Sequence, residues 1–385
     1  MTGVTYRRIG VIIGLSAIFF VFSSNLIMNS EHFLQAKPSK KDISKFIKKL
    51  RENIRNNNDN VDKKEKDNNN NKKDGKKDSK KEENVNYDYS FAGEGDKKRK
   101  NFNFAAVGDF GCSKNMKKTV SNMKDKKPEL VLPLGVLSYD KSANCWLDLI
   151  SPFKDQLKVT LGFHDVNDGG SKLKQYEDTF GLDKLYGSFD YRYVHFVTMA
   201  SESSFQKGSA QYKFINEDLK KASENKDIDW IVVTTYGPFY TSPSTHKAEK
   251  DLRDIYHPLF EKYNVDLVLQ AHNHNYQRTY PISYNSAGDS SEPTVTNQNT
   301  TGYNSHTDGT IFALIGTGGE SFYPLNSQAP YMASQFEGKF GFLDMDISNG
   351  NPHTKLTGTF YDNKGDNVLD QFTIEKEIKS MNDVQ

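Results

Sequence analysis

Five times along this chain a short apolar run stops at a polar or aromatic residue that opens a turn, and no other feature restricts the fold as much. AAVGDFG leads to Asp109, LPLGVLSY to Tyr139, VTLGFHDV to His164, VVTTYGPFY to Tyr236, and LQAHNHNYQRTYP to His272 and His274. Short apolar runs bounded by turn residues read as buried strands, and the residues at strand ends collect along one edge of a sheet, where open α/β folds keep their ligand sites. Two imidazoles two residues apart on one loop are what a metal centre at such an edge needs. A single pair of loop histidines is more often plain surface; it is the recurrence that argues for a site.

Alternation of Phe102, Phe104 and Ala106 marks the first strand, and further runs fall at 130–134, 157–161, 193–199, 228–234 and 265–269. Helical spacing at 211–223 and 247–263 separates the later ones. After Asp308 the texture changes to strands joined by turns, at 310–315, 338–347, 354–361 and 368–375. The expected fold class is α/β, with two β-sheets packed face to face and helices outside. An ordinary doubly wound sheet is the alternative.

With 51 basic and 50 acidic residues the charge is balanced, so no nucleic-acid partner is expected. Cys112 and Cys145 are the only cysteines, which excludes a disulfide-rich scaffold and a four-cysteine zinc knot; one disulfide and two free thiols both fit. Residues 1–28 read as a signal anchor or signal peptide, because Arg7 and Arg8 precede an uncharged apolar run, 9–28, about long enough to cross a bilayer. No small-x-small cleavage motif follows, which favours an anchor and places the rest of the chain at a membrane, with an extracytoplasmic or cell-surface location expected. The lysine-rich segment after the run counts against that orientation. Residues 29–100 read as a disordered tether. In it, Ile43, Phe46, Ile47, Leu50 and Ile54 make a short amphipathic helix, and 55–86 is nearly all Asn, Asp, Lys and Glu, too polar to offset its ordering entropy. Residues 101–385 remain as the folded domain.

With those residues in view, the chain resembles the calcineurin-like metallophosphoesterases, and within them the purple acid phosphatase branch, over about 102–372. Tyr276, Arg278 and Pro281 in HNYQRTYP, the GTGG turn at 316–319 and SFDYRYVHF at 188–196 add to the ligand motifs. The resemblance implies a metallophosphoesterase-type four-layer α/β/β/α sandwich. It also implies a hydrolase of phosphomonoesters, on small molecules or phosphoproteins, that uses two adjacent metal ions: iron first, zinc or manganese as alternatives. Carried over by motif, Asp109, Tyr139 and His274 ligate the first metal and His272 the second. His164 is the catalytic residue that contacts phosphate and protonates the leaving group.

Three positions depart from the family pattern: Val136 stands for a bridging Asp, Phe163 for an Asn and Tyr236 for a His. Isopropyl and phenyl groups offer a cation no lone pair. A phenol must lose its proton to bind well, which a hard ferric ion favours more than zinc. The Phe163 ring is expected to take the space of the second metal and of phosphate. One ion or none is therefore expected rather than two, with His272 or Tyr236 drawn toward the first. Two function classes follow. One is a phosphoesterase with a reduced, rebuilt or mononuclear site, weak or inactive; the other is a pseudoenzyme whose cleft or loops bind a ligand or a protein partner.

Each residue also has a plainer reading. Asp109 suits the N-cap of a helix opening at 113–114, and Tyr139 suits a sheet edge. His195 and His257 fit structural roles, while His246, His306 and His353 carry no companion signal. The GTGG turn lacks a P-loop lysine, and Cys112 as a thiol nucleophile lacks a histidine partner in spacing.

Overall fold

A strand buried on both faces must lie between two layers, and β1 (Phe102–Val107), FNFAAV, leaves only Asn103 partly exposed. The computed structural model describes residues 100–350 and 352–378. The apolar run 9–28, the amphipathic segment 42–54 and the polar tract 55–86 lie outside the described residues, among which no helix is long and apolar enough to cross a membrane.

β1 runs parallel to β2 (Leu130–Pro133) and antiparallel to β13 (Gly341–Asn349). With β14 (His353–Asp362), β15 (Val368–Glu377) and β10 (Gly302–Asn304) they form a six-stranded sheet, order β10-β15-β14-β13-β1-β2. The second sheet has seven strands: β3 (Gly187–Tyr191), β4 (Val194–Thr198), β5 (Trp230–Thr234), β6 (Leu267–Gln270), β7 (Tyr276–Thr279), β11 (Ile311–Ile315) and β12 (Met332–Phe336), in the order β12-β7-β11-β6-β5-β4-β3. Its middle strands β4, β5, β6 and β11 are parallel. A two-stranded ribbon, β8 (Ile282–Ser283) with β9 (Thr294–Val295), lies apart from both.

The sheets face each other through aromatic side chains. Phe104 meets Phe196 edge-on at 5.3 Å, and Tyr276 meets Phe360 at 4.7 Å. Each such ring, fully buried, contributes about 1.5–3 kcal/mol of transfer free energy. Arg278, 1 % exposed, grips Asp370 of the facing sheet with two bonds of 2.7 and 2.9 Å, so this buried charge is paired in the bidentate geometry that offsets its desolvation.

Helix α1 (Lys114–Lys126) buries Met116, Val120 and Met123 against the six-stranded sheet. Its N-cap is Ser113, whose Oγ accepts from the amides of Asn115 and Met116, so Asp109 is free of that duty. After α2 (Asn144–Ile150), α3 (Phe163–Val166) and α4 (Ser171–Phe180), helices α5 (Ala210–Glu224) and α6 (Lys250–Lys262) cover the other sheet. They bury Ile215, Leu219, Leu252, Tyr256 and Phe260 with Val197 and Val233. A one-turn helix, α7 (Ser305–Asp308), precedes β11. The architecture is the four-layer α/β/β/α sandwich, not the single doubly wound sheet.

One expected strand differs. The run 157–161 touches β2 only at two bridges, Val131 with Leu157 and Leu134 with Thr160. Thr160 donates to Pro133 O, but proline has no N–H to return, so the ladder cannot close. β3, β7 and β12 are strands that hydrophobic runs alone did not mark.

Candidate functional site

The carboxyl ends of β1 and β2 in one sheet and of β5, β6 and β11 in the other meet along one edge. Gly108 N donates to Ile315 O (2.8 Å), Gly318 N to Gly108 O (2.9 Å) and Asp109 N to Gly135 O (3.0 Å), which sews these ends together. Close approach demands glycine here: a Cβ on Gly316 would lie 2.0 Å from Asn273 O and 2.8 Å from Asp109 Oδ2. The GTGG segment is thus the tight turn its sequence suggested. Three non-glycine residues at positive φ also fall on this edge: Asp109 at 55°, Val136 at 38° and His272 at 77°. Left-handed backbone is costly for a side chain branched at Cβ, so Val136 is the most strained of the three.

Asp109, fully buried, sits at the centre. Tyr139 Oη lies 3.1 Å from Asp109 Oδ1 and 2.8 Å from His274 Nε2, and that nitrogen lies 3.6 Å from the same Asp109 oxygen. The other nitrogen of His274, Nδ1, faces the Ser321 carbonyl at 2.5 Å and therefore carries hydrogen, which leaves Nε2 directed at Asp109 and Tyr139. Tyr323 stacks on the His274 ring at 3.9 Å.

His272 is held differently. Its amide donates to Asp109 Oδ2 at 2.9 Å, while its Nδ1 is hydrogen-bonded to Tyr236 Oη at 2.6 Å. The Tyr236 ring, 2 % exposed, packs flat over two glycines. A Cβ on Gly135 would come within 2.6 Å of that ring, and one on Gly162 within 2.8 Å. Gly135 precedes Val136 and Gly162 precedes Phe163, so the Tyr236 ring packs on the backbone beside both of the other positions that depart from the family pattern. Val136 is fully buried. Phe163, expected to fill the cleft, is instead 50 % exposed and meets His164 edge-on at 5.5 Å. It begins α3, a single helical turn whose first residue projects outward rather than toward the buried edge.

Electrostatics follow burial. Desolvation lowers the His272 pKa to about 4 and also lowers those of His164 and His246, so these imidazoles are neutral near pH 7. Burial opposes charge on His274 too, but its hydrogen bond and charge interaction with Asp109 outweigh that and raise it. Burial, reinforced by the Asp109 charge, pushes the phenols of Tyr139 and Tyr236 far up, so both keep their protons in the absence of a cation.

The donor set can be tested against a metal. Donors around one ion with bonds of about 2.1 Å are spaced about 3.0–3.5 Å apart; Asp109 Oδ1, Tyr139 Oη and His274 Nε2 are 2.8–3.6 Å apart and match. This O, O, N set fits one hard or borderline ion once the phenol releases its proton. Among the described residues, the group of three His, Cys, Asp or Glu donors within 4.8 Å of one another is Cys112, Asp140 and Cys145, which includes none of these imidazoles. Its two sulfurs form a disulfide, which settles the cysteine question and removes the thiol-nucleophile idea. The bridge joins the loop that carries Asp109 to the segment after Tyr139.

His246 escaped the sequence reading. It stacks on His272 at 3.9 Å, and its backbone N–H and C=O are both clipped by the Asn273 side chain at 2.9 Å. The asparagine between the two histidines of the HNH loop was the one local hint. His195 lies between Asp190 (2.6 Å) and Asp218 (2.9 Å), and His257 Nδ1 pairs with the Tyr240 hydroxyl at 2.8 Å, both as structural groups. His353 is on the surface near Glu375, and the His306 side chain lies outside the described ones.

Residues 102–276 match the calcineurin-like phosphoesterase family model. The chain is 29 % identical over 196 residues to probable purple acid phosphatase 20 of Arabidopsis thaliana, covering 46 % of each chain. It spans about half the length of the curated relatives it matches. Among solved structures, a purple acid phosphatase, PPD1, from yellow lupin (Lupinus luteus) seeds superposes with TM-score 0.62 at 21 % identity, over 73 % of this chain and 55 % of that one. GAP50, described as the anchor in the inner membrane complex of Plasmodium, gives TM-score 0.53 at 16 % identity, over 73 % and 90 %. Over its described residues the chain is therefore a metallophosphoesterase-fold domain that resembles the calcineurin-like phosphoesterases and, within them, the purple acid phosphatases.

Proposed function

We propose that this domain is a phosphoesterase scaffold of purple acid phosphatase type in which a dinuclear centre does not assemble, leaving one ion, iron first, held by Asp109, Tyr139 and His274, or none. The observation that carries the reading is the Tyr236–His272 hydrogen bond at 2.6 Å, because it occupies Nδ1 of the one imidazole left for a second ion, over a ring seated on Gly135 and Gly162. Val136 and Phe163 add no donor. Phosphomonoester turnover is accordingly weak or absent.

An ion bound to the three donors supplies Lewis acidity and a more acidic bound water. The protein's own groups do the rest. Asp109 and Ser321 orient His274, while Asn273 holds His246 against His272. His164, at the exposed rim beside Tyr139 (5.0 Å between rings), is the group placed to meet a phosphate oxygen and protonate a leaving group below its lowered pKa. A tether at a membrane through residues 1–28, with the domain on the extracytoplasmic side, belongs to the same reading.

The alternative is a pseudoenzyme that binds a phosphate-containing ligand or a protein partner at this edge. Its support is the half-exposed Phe163 ring, the kind of anchor a binding surface uses. Elemental analysis per chain, beside turnover of an aryl phosphate, separates these outcomes. The parent is expected to hold one ion or none with little turnover, and the triple variant Val136→Asp, Phe163→Asn, Tyr236→His to gain a second ion and activity. Two ions and full turnover in the parent would refute the proposal.

A further inference from the structure

Lys172 is a lysine with 1 % exposure in a helix whose sequence, SKLKQYEDTF, reads as surface. Its ammonium donates to Ser138 O at 2.7 Å and Asp140 O at 2.9 Å and is ion-paired with Asp168 Oδ2 at 3.5 Å. Ser138 and Asp140 flank Tyr139, so a single ammonium binds the carbonyl on either side of the residue that presents the phenol.

A buried carboxylate grips the same loop from its donor side. Asp165, fully buried, accepts from Leu137 N at 3.0 and 3.1 Å, and from Gly162 N at 2.9 Å. One turn beyond Lys172 on α4, Gln175 Oε1 accepts from Ala143 N at 2.7 Å. Three polar side chains from one stretch, 165–175, thus engage a loop that runs 137–143. A buried ammonium and a buried carboxylate are costly to desolvate unless they are hydrogen-bonded, and here the bonds are made to backbone groups around Tyr139.

We propose that Lys172, with Asp165, is a positioning residue that holds the Tyr139 phenol at Asp109 and His274, and so keeps the three-donor set assembled without an ion. The proposal rests on the one-ion reading for its purpose, but the clamp itself is measurable in metal-free protein.

The test uses the full chain, chelated, and follows nitration of Tyr139 by tetranitromethane with mass mapping, alongside ferric ion titration. Lys172→Met is expected to speed Tyr139 nitration at least tenfold and to weaken ferric binding about tenfold, with circular dichroism and the nitration of Tyr276 unchanged; Lys172→Arg should restore most of both. Gln175→Leu, milder and half-buried, should give a smaller change in the same direction and serves if Lys172→Met does not fold. An unchanged Tyr139 rate in folded Lys172→Met, or in Gln175→Leu if that alone folds, overturns the clamp. Faster nitration with undiminished ferric affinity overturns its positioning role. A parent that binds no ferric ion refutes the one-ion reading instead, and the nitration rates still decide whether the clamp exists.

Discussion

Replacing Tyr236 by phenylalanine tests whether its hydroxyl serves the fold or an ion. The ring keeps its seat on Gly135 and Gly162, so the loss is confined to the bond with His272 Nδ1. That nitrogen belongs to a side chain whose pKa burial holds near 4, so it is left unpaired where protonation cannot rescue it at neutral pH. An unsatisfied buried polar group costs about 1–3 kcal/mol. For a domain of this size each kcal/mol lowers Tm by about 2–4 °C, so a drop of about 2–12 °C is expected. Differential scanning fluorimetry with and without chelator gives the answer. The fall should be the same in both, because a hydrogen bond does not depend on a metal. Had the phenol been a ligand, the chelator alone would remove the stabilisation that saturating ion provides, about 4 kcal/mol at a thousandfold excess over Kd. A parent Tm that collapses in chelator, together with a Tyr236→Phe variant that no longer responds to it, would refute the reasoning.

Two other perturbations probe the surroundings. Burial disfavours a charged His195, but hydrogen bonds to Asp190 and Asp218 outweigh it and raise the pKa to about 9. With the folded value above the unfolded one of about 6.5, the stabilisation is complete below pH 6.5 and disappears as pH rises through 9. His195→Gln should therefore cost about 1–3 kcal/mol in urea unfolding at pH 6 and little at pH 10, after allowing for the screening that half-exposed Asp190 brings; a penalty independent of pH contradicts the ion-pair account. Cys112 and Cys145 are 33 residues apart, and a loop of that length gives about 3–4 kcal/mol in the chain-entropy account, so Cys112→Ser with Cys145→Ser should lose that much against the oxidised parent. Equal stability of the two would show that the bridge is not formed or is offset elsewhere.

Much of this edge was legible because each candidate ligand position follows a strand. The residues after β1, β2 and β6 could be placed once those runs were recognised, and the structure brings Asp109, Tyr139, His272 and His274 together there. What escaped depends on partners distant in sequence. His246 belongs to the cleft through a ring stacked on His272 and the Asn273 side chain that holds its backbone, across a long loop after β5. Lys172 goes unmarked in the sequence because its acceptors are carbonyls more than thirty residues earlier. Phe163 was expected to turn inward because its position in the family faces the metals; the one-turn helix at 163–166 turns it out. The run 157–161 has strand composition, but proline at 133 in the neighbouring strand limits it to two bridges.

Val136 keeps a left-handed backbone at φ 38° although nothing in its own side chain favours one. The cause lies in the neighbouring main chain: Val136 O accepts from Phe110 N at 3.2 Å, and Gly135 O accepts from Asp109 N at 3.0 Å. The contour at position 136 is therefore cast by amide-to-carbonyl contacts between loops and not by the valine side chain set into it. A polar residue tolerant of that conformation, such as aspartate or asparagine, suits the backbone at position 136, so a donor can be returned there without recasting the main chain.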